Sequence, residues 1–331
     1  MELDYGIGIL GVGKYLPKDE KTNAQLEKST KIPASEIEQK TGIITRRIAA
    51  ENEVASQMSA TAARLAIKSA GIDSSQIGLI VTCTFTGDYV YPAVSCKIQE
   101  LIGAKNAGAF DIMANCTGFQ VGLGVVSDKM KLDSSIKYSL LIGSALQSPF
   151  IDWTDGGSSI YFGDGVGAVV LGQVEKGYGI ISNEIKSNGR VFDSVRLRGG
   201  GSSFPLREKN INQNLQYYEL DGLEVWKQVI QHQPKVMKDS LSKINKTLDD
   251  VDFFIFHQAN LRLIEFLMKR MKKPMSMTYT NMEKYGNTAD ASQAIALAEA
   301  YELGKFKKND LILVTGVGAG FIFGSTIIKW H

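Results

Sequence analysis

Excess charge of either sign is missing from this chain. Lys and Arg number 37 and Asp and Glu 35 over 331 residues, leaving a formal charge of +2. Such a balance gives no electrostatic reason for non-specific binding to nucleic acid or to a membrane surface. Cysteine and histidine are scarce too. Cys83, Cys96 and Cys116 stand apart with no CxxC pair, and the three histidines are His232, His257 and His331. No Cys/His spacing fits a structural zinc site, so no metal is expected. An odd cysteine count, with no basic leader at Met1-Glu2-Leu3-Asp4, points to reduced thiols in a cytoplasm. Long apolar runs are nearly absent. Leu311–Ile328 is 18 residues without a charge, but Gly316, Gly318, Gly320 and Gly324 divide it into a strand, a turn and a second strand. It reads as buried core and not as a membrane helix.

What the chain has in excess is glycine, 33 residues in all, where about 7% would be usual. Many backbone positions must therefore be tight or closely approached. Strands are predicted at Gly6–Val12, Gly78–Phe85, Ala109–Met113, Ser139–Gly143 and Ile160–Leu171, the last interrupted at Gly163-Asp164-Gly165. Helices are predicted at Val54–Ala70, closed by Gly71, and at Thr117–Met130. A second series holds strands at Gly179–Ile185, Asp252–Phe256, Leu311–Thr315 and Phe321–Trp330. Its helices are Leu223–Ile230 and Val236–Ile244, separated by Pro234, then Leu261–Met271 and Ala291–Leu303. Gly189–Gly222 reads as an irregular surface excursion. The alternation argues an α/β protein with helices on both sheet faces. The order of elements repeats, which implies two similar halves, 1–174 and 175–331, the boundary falling near 172–178.

Three residues stand where chemistry is possible. Cys116 lies in Asn115-Cys-Thr-Gly-Phe119, where a strand gives way to a helix. Unpaired amides and the helix dipole there would stabilise a thiolate and lower the thiol pKa; the plain alternative is an inert buried cysteine. His257 ends the apolar strand and opens His257-Gln-Ala-Asn-Leu-Arg262, at the strand's carboxyl end, where open α/β sheets meet ligands. A satisfied structural histidine would look the same. Asn287 in Tyr285-Gly-Asn-Thr-Ala-Asp-Ala-Ser292 fits a plain turn and helix cap equally well. Gly316-Val-Gly-Ala-Gly320 offers amides for an oxyanion or simply a tight hairpin, and it lacks the pattern and following helix of a nucleotide loop. Lys269, Arg270, Lys272 and Lys273 form a basic run at a helix end.

Together these segments resemble the ketoacyl synthase III family of the thiolase superfamily, over nearly the whole chain. The nucleophile, histidine and asparagine motifs match in order, as do Phe162-Gly-Asp-Gly-Val-Gly-Ala168 and Lys40-Thr-Gly-Ile-Ile-Thr-Arg-Arg-Ile-Ala49. The resemblance implies a five-layered αβαβα thiolase-like fold of two similar halves, a homodimer, and ping-pong chemistry without metal or redox cofactor. Cys116 would take the acyl group, and His257 and Asn287 would support decarboxylation of a malonyl group on acyl carrier protein. The amides of Cys116 and Ala319 would form the oxyanion hole. Tyr91, Phe162 and Val317 would line an acyl pocket, Tyr91 reaching that of the partner subunit. Arg262, Lys269 and Arg270, with Lys227 as a weaker candidate, would dock the carrier.

The departures are informative. Glu36 and Gly156 stand where the family carries a tryptophan and an arginine around the coenzyme A adenine. Their loss argues for a carrier-bound acyl donor over acyl-coenzyme A, and tilts the reading toward a specialised, polyketide-like pathway rather than fatty-acid initiation. Tyr91 replaces the glutamate of relatives that join two acyl chains without decarboxylation. Two rival readings remain: transfer of the acyl group from Cys116 to a hydroxyl or amine, and a non-catalytic carrier-binding subunit.

Overall fold

A computed structural model describes residues 3–207 and 213–331. The chain opens with β1 (Tyr5–Tyr15), β2 (Asp19–Thr22), α1 (Asn23–Thr30), α2 (Ala34–Thr41), β3 (Thr45–Ile48) and α3 (Ala55–Ala70). There follow β4 (Ile77–Cys83), α4 (Val94–Ile102), β5 (Gly108–Ile112), α5 (Gly118–Leu132), β6 (Tyr138–Ala145) and β7 (Gly165–Glu175). After a short turn come β8 (Gly179–Ser187), β9 (Val195–Leu197), β10 (Tyr218–Leu220), α6 (Gly222–Ser242), β11 (Phe253–Phe256) and α7 (Leu261–Arg270). The chain closes with α8 (Met282–Tyr285), α9 (Ser292–Glu302), β12 (Leu311–Gly318) and β13 (Ile322–Lys329).

Two sheets carry the fold. One has the order β1-β7-β6-β4-β5, the other β8-β13-β12-β11. Their pairings correspond: β4 runs parallel to β6 as β11 does to β12, and β6–β7 is antiparallel like β12–β13. Only the first sheet carries an additional edge strand, β5, among the described residues.

Three apolar cores explain why the strands read as continuous hydrophobic runs: both faces are covered. On β4, Leu79, Val81 and Cys83 enter the central core with Phe119 and Leu123 of α5, while Ile77 and Ile80 face α3 and α4. On β12, Ile312 and Val314 enter that same central core with Ala294 and Leu297 of α9, while Leu311 and Leu313 face α6 and α7. The layers are thus α3/α4, first sheet, α5/α9, second sheet and α6/α7. The apolar segment Leu311–Ile328 forms β12 and most of β13. Among the described residues no helix is long and apolar enough to cross a membrane.

Three expectations need correction. Pro234 does not divide a helix; α6 runs unbroken through it. A proline there removes the N–H that would bond the carbonyl of Ile230, and Arg270 Nη1 donates to that carbonyl instead, at 3.0 Å. The strand expected from Ile160 begins only at Gly165, because Tyr161, Phe162 and Gly163 leave the sheet to bond the Asn287 backbone. The segment 189–222 is not wholly irregular: β9 and β10 pair antiparallel, and Leu215 is buried.

Glycine at 143, on β6, lets the turn before α9 approach. A methyl group there would lie 2.3 Å from the carbonyl oxygen of Asp290. Gly143→Ala is therefore expected to destabilise the protein by about 1–3 kcal/mol, measured by denaturant unfolding; an unchanged midpoint would show that this spacing is not rigid.

Candidate active site

Cys116, His257 and Asn287 open onto one cavity of about 100 Å³, walled also by Phe162, Val317, Ala319 and Trp226. Cys116 belongs to a single 3₁₀ turn, Asn115–Thr117, that runs directly into α5. Asn115 takes a left-handed φ of 49°, which Asn tolerates better than most residues. Its Nδ2 donates to Ala319 O at 3.0 Å, tying the nucleophile turn to the β12–β13 hairpin. The hairpin passes so close that a Cβ on Gly318 would lie 3.2 Å from the Cys116 nitrogen. Neither the Cys116 nor the Ala319 N–H donates to another residue among those described. Two free amides of residues that line one cavity with the thiol suit an oxyanion. Ala319 keeps an ordinary negative φ, so its Cβ imposes no strain.

The expected lowering of the thiol pKa is reversed. Burial raises the Cys116 pKa well above its ordinary value, and the carboxyl of Asp290 adds to the rise. The helix dipole is outweighed because desolvation penalises the thiolate more than one short turn of amides favours it.

His257 continues the β11–β12 ladder, its N–H donating to Thr315 O at 2.9 Å. Its Nδ1 lies 2.6 Å from Ser292 Oγ, which also accepts from the Gln258 N–H. Ser292 was quoted within the asparagine motif but not singled out; only the fold reveals that it orients the imidazole. Burial lowers the His257 pKa to about 3, so the ring is neutral at physiological pH.

Asn287 Oδ1 accepts from the Ala289 N–H at 2.9 Å, which fixes the amide orientation and leaves Nδ2 as the free donor. Its backbone is pinned by Tyr161 O, Gly163 N and Gln147 Nε2. Gln147 is held in turn by Asp164, whose buried carboxylate accepts from the N–H groups of Gln147, Ser148 and Ala49. The turn-and-cap reading of Asn287 is thus correct for one side of its amide and leaves the other available.

Of the expected pocket residues, Phe162 and Val317 line the cavity beside Cys116. Tyr91 does not; it is 83% exposed, next to exposed Tyr89 and Val90. The proposed docking cations lie on α6 and α7. Lys269 is exposed and Lys227 pairs loosely with Glu224 at 3.5 Å. Arg270 bonds Ile230 O. Arg262 is committed to Glu265 and to Gln39 O. Glu36 is ion-paired with Lys40 on α2, and Gly156 packs against Ile32, where a Cβ would come within 2.3 Å of Cδ1. Among the described residues no His/Cys/Asp/Glu cluster could hold a metal, and all three cysteines are free.

Two like sheets packed about a shared pair of helices define the thiolase-like class, and solved structures agree. The 3-oxoacyl-[acyl-carrier-protein] synthase III of Aquifex aeolicus superimposes with a TM-score of 0.89 at 33% identity, covering 98% of this chain and 100% of that one. A priming β-ketosynthase from the R1128 polyketide pathway gives 0.91 at 28%, covering 100% and 98%. Residues 110–189 match the model of 3-oxoacyl-[acyl-carrier-protein] synthase III, and residues 241–330 that of its C-terminal part. The β-ketoacyl-[acyl-carrier-protein] synthase III of Fusobacterium nucleatum is 39% identical over 98% of both chains, and that of Clostridioides difficile 37% over 98% of both. The chain belongs to the 3-oxoacyl-[acyl-carrier-protein] synthase III family of acyltransferases.

His257 gives the site a pH signature. Its unfolded pKa is about 6.5 and its folded pKa about 3, so the unfolded chain binds the extra proton in between. Stability is expected to fall as pH drops through that window, by up to ~1.4 kcal/mol per unit. Denaturant unfolding of His257→Asn should show a shallower slope; equal slopes would mean that the ring is not held neutral.

Proposed function

We propose that this chain is a decarboxylating 3-oxoacyl synthase of type III in which Cys116 carries the acyl group, and the observation that supports it is the shared cavity of Cys116, His257 and Asn287. The Cys116 sulfur adds to the donor thioester carbonyl. The amides of Cys116 and Ala319 take the oxyanion. Collapse expels the donor thiol, and the thiol proton passes, net, from Cys116 to that departing sulfur. Malonyl-carrier thioester then enters. As its carboxylate leaves as carbon dioxide, the enolate oxygen accepts hydrogen bonds from Asn287 Nδ2 and from His257 Nε2. A Ser292 hydroxyl donating to Nδ1 leaves the ring proton on Nε2. Neutral donors suit this step, because no counter-charge must be carried into a buried site. The enolate carbon bonds the acyl carbon, the bond from that carbon to the Cys116 sulfur breaks, and the sulfur takes from solvent the one proton that the loss of the carboxylate as carbon dioxide requires.

Fatty-acid initiation replaces the specialised pathway as the preferred reading. The curated relatives named above bear the synthase III name at 37–39% identity, while the polyketide priming enzyme stands at 28%. The donor is read as carrier-bound: the Glu36–Lys40 pair and the filled space at Gly156 offer an adenine neither stacking ring nor free cation. An acidic carrier protein would dock on α6 and α7, with Lys269 the cation least committed elsewhere. A reduced Cys116 suits a cytoplasm.

A homodimer is read from β5. It is an open edge strand with Phe110 exposed and exposed Met113 just beyond it, and its Asp111 holds the amide of Val94, a few residues after exposed Tyr89, Val90 and Tyr91. Such an edge pairs or aggregates, and a second copy there would bring Tyr91 toward the partner's cavity. Sedimentation should give twice 36.2 kDa; a monomer would end this part of the reading.

The decisive experiment is intact mass after incubation with acyl-coenzyme A and acyl-carrier donors, followed by malonyl-carrier thioester. The expected result is an adduct from carrier donors that Cys116→Ala abolishes, slower loading in Lys269→Glu, and carbon dioxide release with a 3-oxoacyl product. Loading without carbon dioxide would favour simple acyl transfer. Efficient loading from coenzyme A would sink the donor reading, and no adduct would favour the non-catalytic role.

A further inference from the structure

Two polar groups beside the nucleophile have no part in this chemistry. Asp290 is fully buried, and neither carboxyl oxygen has a hydrogen-bond partner among the described residues. Its Oδ1 lies against Gly118, where an added Cβ would fall 2.2 Å from that oxygen and 3.0 Å from the Cβ of Cys83. Tyr218 Oη is likewise enclosed and unpartnered. The Tyr218 ring is caged by Phe162 at 5.3 Å and by Phe85 and Phe150 at 6.2 Å each. Phe162 is also a wall of the Cys116 cavity, and Phe85 packs in one cluster with Cys116, Ala289 and Ala291, so the rings border the nucleophile.

Cys116, Asp164 and Asp290 all lie near enough to Tyr218 to raise its pKa beyond the effect of burial. Burial pushes the Asp290 carboxyl pKa up, and no cation is among the causes of its shift. The phenol O–H and both carboxyl oxygens are thus unpaired, and they are not bonded to each other. Leaving two such groups unpaired carries the desolvation penalty of each with no hydrogen bond to offset it. A ligand that pairs them removes that cost.

We propose that Tyr218 and Asp290 form a polar end to the acyl cavity and select a short acyl group that carries a hydroxyl on its chain. The proposal rests on the acyl-Cys116 reading above. The substrate hydroxyl accepts from the Tyr218 O–H and donates to a side-chain carboxyl oxygen of Asp290. Four aromatic rings limit chain length, and a plain alkyl chain would leave both polar groups unpaired. Sites built to bond a hydroxyl discriminate far more strongly against its absence than apolar pockets do against its presence.

The test compares loading rates of 3-hydroxybutyryl and butyryl thioesters of one carrier protein, read by intact mass. The wild-type protein should load the hydroxylated group about tenfold faster or more. Tyr218→Phe should shrink that ratio toward one, and Asp290→Asn should alter it independently. Butyryl loading as fast or faster in the wild type, or a ratio unmoved by Tyr218→Phe, would overturn the proposal. Absence of any adduct from both donors would instead overturn the reading of Cys116, and this one with it.

Discussion

The active site depends on how closely two helices lie between two sheets. α5 and α9 fill the middle layer, and α9 presents Ala294, Ala296, Ala298 and Ala300, all fully buried. Gly143 on β6 and Gly167 on β7 meet the α9 region so closely that neither position has room for a methyl group. A close-packed interior holds one spacing and resists others. With that spacing held, the turn after β5, the end of β11 and the turn before α9 reach one cavity. The reacting side chains are then oriented by bonds running between distant segments: Asn115 to Ala319, Ser292 to His257, and Gln147 to Asn287.

The site's electrostatics follow from the same packing. Burial there disfavours the charged forms of its groups. Burial raises the pKa of Cys116 and of Asp290 and lowers that of His257 to about 3. A cavity of this kind favours charge that is created inside it and met by fixed donors over charge carried in from water. The free Cys116 and Ala319 amides and the free Asn287 Nδ2 are such donors.

Much of this was legible in the sequence wherever local pattern and tertiary role coincide. Buried strands announce themselves as apolar runs, and the residues that carry chemistry sit in motifs that hold their order. What escaped was non-local. α4 begins at Ala93-Val94 with no capping side chain in sight, because its first amides are capped by Asp111 from β5, at 2.7 and 2.9 Å. Pro234 looked like a helix break because the donor that replaces its missing N–H belongs to α7. Tyr218 lay in what read as surface excursion, and its place inside a cage of three phenylalanines depends on strands far apart in sequence. The thiol pKa has a related reason: a helix terminus is visible in a sequence, while the desolvation around it is not.

The unbroken α6 has a consequence for how surface charge is dissected. Arg270 sits among the exposed cations at the end of α7, yet its guanidinium closes the backbone gap left by Pro234 in the neighbouring helix. Removing it takes away a positive charge and, in the same stroke, strands a helical carbonyl. A charge-reversal survey of this face would record both effects as one number. Lys269, one residue away and free of such duty, is the control that separates attraction from architecture.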